Sequence, residues 1–409
     1  MPQGQGPQGP MGPGQMQNPN MPQQKGLEFS ISPAMYPWLE EQDCSIAFTT
    51  YKNSRLFFLG RKDDGKLSIF ERLFAHAMGL WTEKDRLYLA SQFQIWKFDD
   101  VTIDGENYKG YDKLFVPRLG YTTGNLDTHD LVIDKNGRMV FVNTLFSCLA
   151  TVSEKHSFKP LWVPPFITKL KPEDRCHLNG LALRDGMPKY VSAICRSDVH
   201  HGWRDRRDNG GILMDIDTNE VVAENLSMPH SPRWHDGKLW VLQSGTGHLG
   251  YIEDGKFQEV CFIPGYLRGL AFQGKYAIVG LSKCRQERSF SGLKLDENLK
   301  AKDADARCGI HIVDLETGDL HAFFELKSVV DELYDVQIMQ GIKRPQALGF
   351  KKDDVSRVIT IEKQDSDERD EVIVLPPRQN RQEQDAQARA AAQQRAMQQG
   401  QMPMQGQPM

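Results

Sequence analysis

The chain has 409 residues, 39% of them hydrophobic and 25% charged, with a formal net charge of -4. This is the composition of a globular protein with enough apolar material for a large core. It excludes a general nucleic-acid binder, which carries a basic field over one face, and no apolar run is long enough to cross a bilayer as a helix.

Residues 1–26 are dominated by Gln, Pro, Gly and Met without hydrophobic periodicity, so a disordered tail is expected there. They carry neither the basic nor the apolar stretch of a secretory signal. The seven cysteines (Cys44, Cys148, Cys176, Cys195, Cys261, Cys284 and Cys308) are odd in number, scattered and free of CxxC pairs. That is neither a disulfide framework nor a zinc-knuckle spacing. It points to a reducing cytoplasm in which most thiols are small buried apolar groups.

From residue 45 onward strands dominate. SIAFTTY (45–51), RLFFLG (55–60) and KLSIF (66–70) are short, rich in aromatic and β-branched residues, and separated by turn signals such as KNS and KDDGK. GLWTE, RLYLAS and QIWKFDD keep the rhythm, as do LVID, MVFVNT and CLATVS, with DKNG as their first turn. LALRD, KYVSAIC and GILMDID form a fourth unit. RWHD, KLWVLQS and LGYIED form a fifth, and LAFQG, YAIVGLS and GIHIVDLETG a sixth. ALGF, RVITIEK and EVIVLP add strands near the C-terminus, and SVVDELYDV (328–336) reads as a helix. Residues 378–409 return to Gln, Ala, Arg and Met. They favour helix but lack an apolar face to dock, so a second disordered or weakly helical tail is expected. Any weak self-association is expected to run through the two tails.

The units share a register. HAMGLW from His76, HDLVID from His129, HLNGLAL from His177 and HSPRWHD from His230 each place a histidine just ahead of an apolar strand. LRGLAF from Leu267 keeps the strand, with Arg268 near the place of the histidine. The spacing of several tens of residues is that of propeller blades. Blades of about four strands also bury short sheets on both faces without long open edges. The expected fold class is therefore all-β, a β-propeller over residues 27–377 with six blades. Seven is the alternative if ALGF and the strands after it form a blade of their own. Ring closure is expected from 357–362 or 371–376 pairing with the N-terminal unit.

The blocks GNLDTHDLVID, CHLNGLAL, MPHSPRWHDGKLWVLQSGTGHLG and YLRGLAFQGKYAIVGLSKCR resemble those of a bacterial family of uncharacterised proteins, a domain of unknown function. The resemblance covers Phe29 to Phe350 and implies a β-propeller, with no agreed activity. At the level of strand rhythm the chain is also similar to NHL-type and six-bladed lactonase-like propellers, a likeness that does not carry function.

In a propeller blade the first strand lines the central channel, so residues just ahead of it sit on one rim. His76, His129, His177 and His230 are expected to converge there as ligands of a transition metal (Zn, Fe or Cu), with open positions for water or substrate. His129, His177 and His230 are the core of that set. Histidines in a narrow channel also serve as hydrogen-bonding plugs, and that reading stands beside the metal one. Asp127 and Asp130 are read as orienting an imidazole, acting as general base or capping a turn. Asn179 is read as bonding a substrate oxygen, and Arg268 as a further polar group on the rim.

Two long insertions, 195–211 and 283–309, are expected on the same rim. Arg196 and Arg285 directly follow Cys195 and Cys284 at strand ends, and are expected to face the channel, where they suit a carboxylate or phosphate. A Cys176 nucleophile with a histidine base lacks a recognisable local signature. The expected function is a metal-dependent hydrolase or oxygenase acting on a small anionic or peptide ligand. A non-catalytic binding scaffold and a calcium-dependent lactonase-like hydrolase are the alternatives.

Overall fold

Asp-Gly pairs set the turns of this chain. Asp185-Gly186, Asp236-Gly237 and Asp254-Gly255 each take two successive positive φ angles (53° and 73°, 46° and 75°, 49° and 74°). This is the type I′ geometry, whose twist matches that of paired strands, and each pair joins two neighbouring strands of an antiparallel ladder.

The computed structural model describes residues 27–102, 106–283, 292–327, 330–351, 353–362 and 371–375. The two tails expected to be disordered lie outside these residues. Among the described residues, six sheets of at least four strands form the blades of a β-propeller. Their innermost strands are Leu80–Thr82, Thr128–Ile133, Leu178–Arg184, Pro229–His235, Tyr266–Gln273 and Val336–Gln340. Each of these contacts the next, and the last contacts the first, so the ring is closed with six blades.

Closure differs from the sequence expectation. Val336–Gln340 supplies the innermost strand of the blade built from Cys44–Thr50, Arg55–Arg61 and Leu67–Leu73, pairing antiparallel with Cys44–Thr50. Among the described residues, strands Val358–Ile361 and Glu371–Val374 pair only with each other. The reading of SVVDELYDV as a helix is also corrected, since its described residues 330–335 are irregular and lead into the closing strand. The three-residue spacing that imitates a helix face comes from Val330, Leu333 and Val336, which are buried between blades instead. Helices occur at Met35–Glu41 and at Lys294–Ala301, where Leu295 and Leu299 bury one face.

The apolar core lies between neighbouring blades. Val132, Val140, Val142 and Leu149 of one blade, for example, interleave with Leu178, Leu181, Val191 and Ile212 of the next. The Gly-Leu of the repeat has its cause at the axis. A Cβ on Gly180 would lie 2.4 Å from Pro232 Cδ, and one on Gly269, whose φ is 77°, would lie 2.6 Å from the Val336 amide nitrogen. In both cases the obstacle is the innermost strand of the following blade, so the register records how closely these strands approach.

Candidate functional site at the propeller axis

The chain bends into four of its blades through left-handed backbone. His76, Asp127, His177 and Met228 have φ angles of 47°, 54°, 50° and 47°, each shortly ahead of an innermost strand. L-residues enter this region at a cost, and do so where the surroundings over-determine it.

Three imidazoles are anchored alike. His129 donates from Nδ1 to the Asp127 carbonyl at 2.9 Å. His230 donates from Nδ1 to the Met228 carbonyl at 2.8 Å and lies 2.9 Å from Ser244 Oγ, which gives its own proton to the Leu267 carbonyl. His177 Nδ1 lies 2.9 and 3.0 Å from the two oxygens of Asp174. These oxygen partners are acceptors, so each Nδ1 carries the proton, and a neutral ring then keeps its lone pair on Nε2. Burial lowers the His129 pKa to about 4 and the His230 pKa well below the ordinary value, so both rings are neutral at pH 7.

The imidazoles meet the first insertion. His129 and His177 touch edge to face with centroids 4.8 Å apart, and Trp203 covers His177 at 4.3 Å. Trp203 Nε1 donates to Asp174 at 2.7 Å. Burial pushes the Asp174 carboxyl up, but His177 and the Trp203 hydrogen bond outweigh it and hold Asp174 below the usual carboxylate range. Trp203 also packs with Leu293, Leu295 and Leu299, so both insertions reach one rim, in keeping with the blade topology.

His129, Asn179, His230, Ser231, Arg268 and Tyr334 line a cavity at the axis, together with the Asp130 and Asp335 carboxylates. Its volume is about 240 Å³ including the part open to solvent, with room for roughly one water-sized group between its walls. His230 Nε2, Asn179 Nδ2 and the Tyr334 hydroxyl are buried there without a hydrogen-bond partner among the described residues. Buried polar atoms in folded proteins are nearly always paired, so three orphans in one cavity call for an explanation. Beside them the Arg268 guanidinium stacks 4.7 Å from the Tyr334 ring centre, with a Glu332 oxygen at 3.8 Å. Burial raises the Tyr334 pKa well above its ordinary value, which keeps its hydroxyl a neutral donor.

Asp130, Arg233 and Asp335 join all six innermost strands. Arg233 makes two bonds to Asp130, at 2.7 and 3.3 Å, donates to the Leu270 carbonyl at 3.1 Å, and has an Asp335 oxygen at 3.9 Å. Asp130 accepts the Leu181 amide at 3.0 Å, and Asp335, at the head of the closing strand, accepts the Leu80 amide at 2.8 Å. Burial and the neighbouring Asp130 charge raise the Asp335 pKa to about 7, against the pull of Arg233.

A family model described as "Domain of unknown function (DUF4915)" matches residues 33–348. The chain belongs to this family. No curated protein matches it. Among solved structures it is similar to the nidogen/laminin complex (12% identity, 73% of this chain and 99% of that one, TM-score 0.46). It is likewise similar to a gluconolactonase from Xanthomonas campestris (12%, 71% and 87%, 0.41). A third likeness is to a catalytically inactive virginiamycin B lyase from Staphylococcus aureus with quinupristin (13%, 74% and 100%, 0.35). Likeness at this level carries no ligand or reaction over to the DUF4915 chain.

Of the residues singled out in the sequence, His129, Asp130, Asn179, His230 and Arg268 share the axial cavity, and His177 abuts His129. Asp127 orients His129 through its backbone carbonyl, with its carboxylate 3.6 Å away and partly exposed. Asp130 does not orient an imidazole, because its oxygens are committed to Arg233 and Leu181. His76 packs on Tyr51 and is absent from the cavity lining. Arg196 does not face the channel. The strand Met187–Ala193 ends ahead of it, and its half-exposed side chain pairs with Glu224 at 3.0 Å. Arg285 lies outside the described residues. Cys176 is fully buried with its thiol pushed up to about 12, which leaves it inert as a nucleophile. Among the described residues, no three His, Cys, Asp or Glu side chains come together to hold a metal ion. No described helix is long and apolar enough to cross a membrane.

Sequence reasoning missed Tyr334 and Asp335 because their segment imitates a helix. It missed Asp174, whose only signal is its place three residues ahead of His177.

Proposed function

We propose that this propeller takes the charged head of a small anionic ligand into its axial cavity, and that its neutral imidazoles serve there as proton acceptors. Arg268, Asn179 Nδ2 and the Tyr334 hydroxyl supply donors for a carboxylate or phosphate oxygen, and the C-terminus of a peptide is one form of such a head. His129 and His230 present unprotonated Nε2 atoms to the same space, the state needed of a general base. The observation that carries this reading is the set of three partnerless buried atoms in one cavity beside a guanidinium. The space between the walls takes roughly one water-sized group, so one oxygen of the head enters it and the rest of the ligand lies outside.

The test is ligand-induced stabilisation with formate, acetate and inorganic phosphate, comparing wild type with Arg268→Met. Stabilisation grows with ligand concentration over the dissociation constant. Formate, with three heavy atoms, is held to roughly millimolar affinity. Concentration-dependent stabilisation of wild type that Arg268→Met loses supports the reading; equal response of both proteins overturns it.

A second reading keeps the transition metal. Ligating histidines characteristically donate their other ring nitrogen to a carbonyl or carboxylate, as His129, His177 and His230 all do. Against it stands the spread of the described ligand groups, which do not assemble around one point. Metal content of protein purified without an affinity tag decides it. A stoichiometric transition metal that is lost in His129→Ala with His177→Ala establishes the metal, and its absence from wild type removes this reading.

A further inference from the structure

Two carboxylates of the axial cavity share one guanidinium. Among the described residues Arg268 lines the cavity with a Glu332 oxygen 3.8 Å away, and Arg233 faces two of its carboxylates, Asp130 and Asp335. Asp130 holds Arg233 through two hydrogen bonds, at 2.7 and 3.3 Å, and Glu332 is a carboxylate beside Arg268. Asp335 is left as the odd one, 3.9 Å from an arginine that is already paired. Among the described residues its oxygens accept the backbone amides of Leu80 and Val336 alone, and it lines the cavity itself.

An anion entering this space meets a carboxylate whose nearby cation, Arg233, is shared with Asp130. Two like charges in a poorly solvated cavity cannot both persist, and the usual resolution is that one of them takes a proton. We propose that the axial cavity binds its anion together with one proton, which Asp335 takes up, so that the ligand enters as the equivalent of a neutral acid. This rests on the reading of the cavity as an anion site and adds its regulation by pH.

The groups facing Asp335 leave few other candidates for that proton. Asp130 comes from the Thr128–Ile133 strand, Arg233 from Pro229–His235 and Arg268 from Tyr266–Gln273. Tyr334 is adjacent in sequence, with Tyr51 packed against its ring. Asp130 is engaged through both oxygens by Arg233 and accepts the Leu181 amide, arginine is already a cation, and the Tyr334 hydroxyl already carries its proton. His129 and His230 are neutral and line the cavity, so they are the rival acceptors. The raised pKa of Asp335 places its titration where such a proton is exchanged near neutrality.

The experiment uses the full chain and formate as the probe. Formate binding is measured by calorimetry between pH 6 and pH 9 in two cationic buffers of different ionisation enthalpy, which counts protons taken up per formate bound. For wild type the count rises toward about one above the Asp335 titration, and affinity falls about tenfold per pH unit there. Asp335→Asn binds formate with no proton uptake and a flat pH profile. Wild-type binding without proton uptake overturns the inference and leaves the anion site standing. Uptake that persists in Asp335→Asn assigns the proton to another group, an imidazole or Glu332, and also overturns it. Absence of formate binding to both proteins overturns the anion site and this inference with it. If Asp335→Asn does not fold, the wild-type proton count still decides, together with the ¹³C carboxyl shift of Asp335, which must move to its protonated value as formate saturates.

Discussion

The Asp335 carboxylate accepts the Leu80 amide at 2.8 Å and so fastens the last innermost strand of the ring to the blade that begins at Leu80. The ring is thereby closed twice, once by backbone pairing of Val336–Gln340 with Cys44–Thr50 and once by this side chain. Asp335 also lines the axial cavity, so a group that holds the fold is part of the candidate site.

Arg233 is the centre of that network. Removing its charge by Arg233→Met leaves Asp130 and Asp335 enclosed without their cation, and the expected loss is about 3–5 kcal/mol in denaturant unfolding. Adding Asp130→Asn recovers part of it, because the uncompensated charge is then removed. A loss below about 1 kcal/mol for Arg233→Met contradicts the network.

Asp335 sets a pH dependence with a definite sign. Its folded pKa, about 7, lies above the ordinary 3.8, so the stability it contributes is complete below about pH 4 and is lost as pH rises through 7. The stability of wild type relative to Asp335→Asn therefore falls between pH 4 and pH 7, by at most about 1.4 kcal/mol per pH unit. Urea titrations of both proteins across that range check the slope.

His129 and His230 act in the opposite direction. Their folded pKa values are depressed, so their contribution is present above the ordinary 6.5 and disappears as pH falls below it. Replacing both by Gln flattens the acid-side loss of stability. At pH 7, ¹⁵N spectra are expected to show both rings neutral with the proton on Nδ1; an Nε2–H tautomer for either contradicts the anchoring described above.

Gly269 tests the packing at the axis. Gly269→Ala places a methyl 2.6 Å from the Val336 amide nitrogen at a φ of 77°, so overpacking and left-handed strain act together. A loss of about 2–4 kcal/mol is expected, whereas Gly137→Ala, at φ 76° in open space, loses less, since only the backbone term remains.

Much of the fold is legible in the chain because its signals are local. Strands such as Cys44–Thr50 carry aromatic and β-branched residues, and Asp-Gly pairs mark the hairpins. The histidine register is legible too, since one side-chain type recurs at blade starts. What is not legible depends on partners distant in sequence. Val336–Gln340 becomes a strand only because Cys44–Thr50 offers an edge, and Leu333 imitates a helix face while packing between blades. Arg196 shows the converse: a local position at a strand end does not reveal that the chain turns outward to Glu224. His76 fits the repeat in spelling, yet it packs against Tyr51 with the rings tilted by 46°, because side-chain direction at a left-handed bend is set by its neighbours.

Whether the orphan polar atoms of the axial cavity bind a small anion is decided by titrating ¹⁵N-labelled protein with formate. If they do, the Asn179 side-chain amide and the His230 Nε2 resonance shift together and saturate at one dissociation constant, and Arg268→Met abolishes both shifts. Resonances that stay fixed through millimolar formate, or that move equally in Arg268→Met, rule the anion site out.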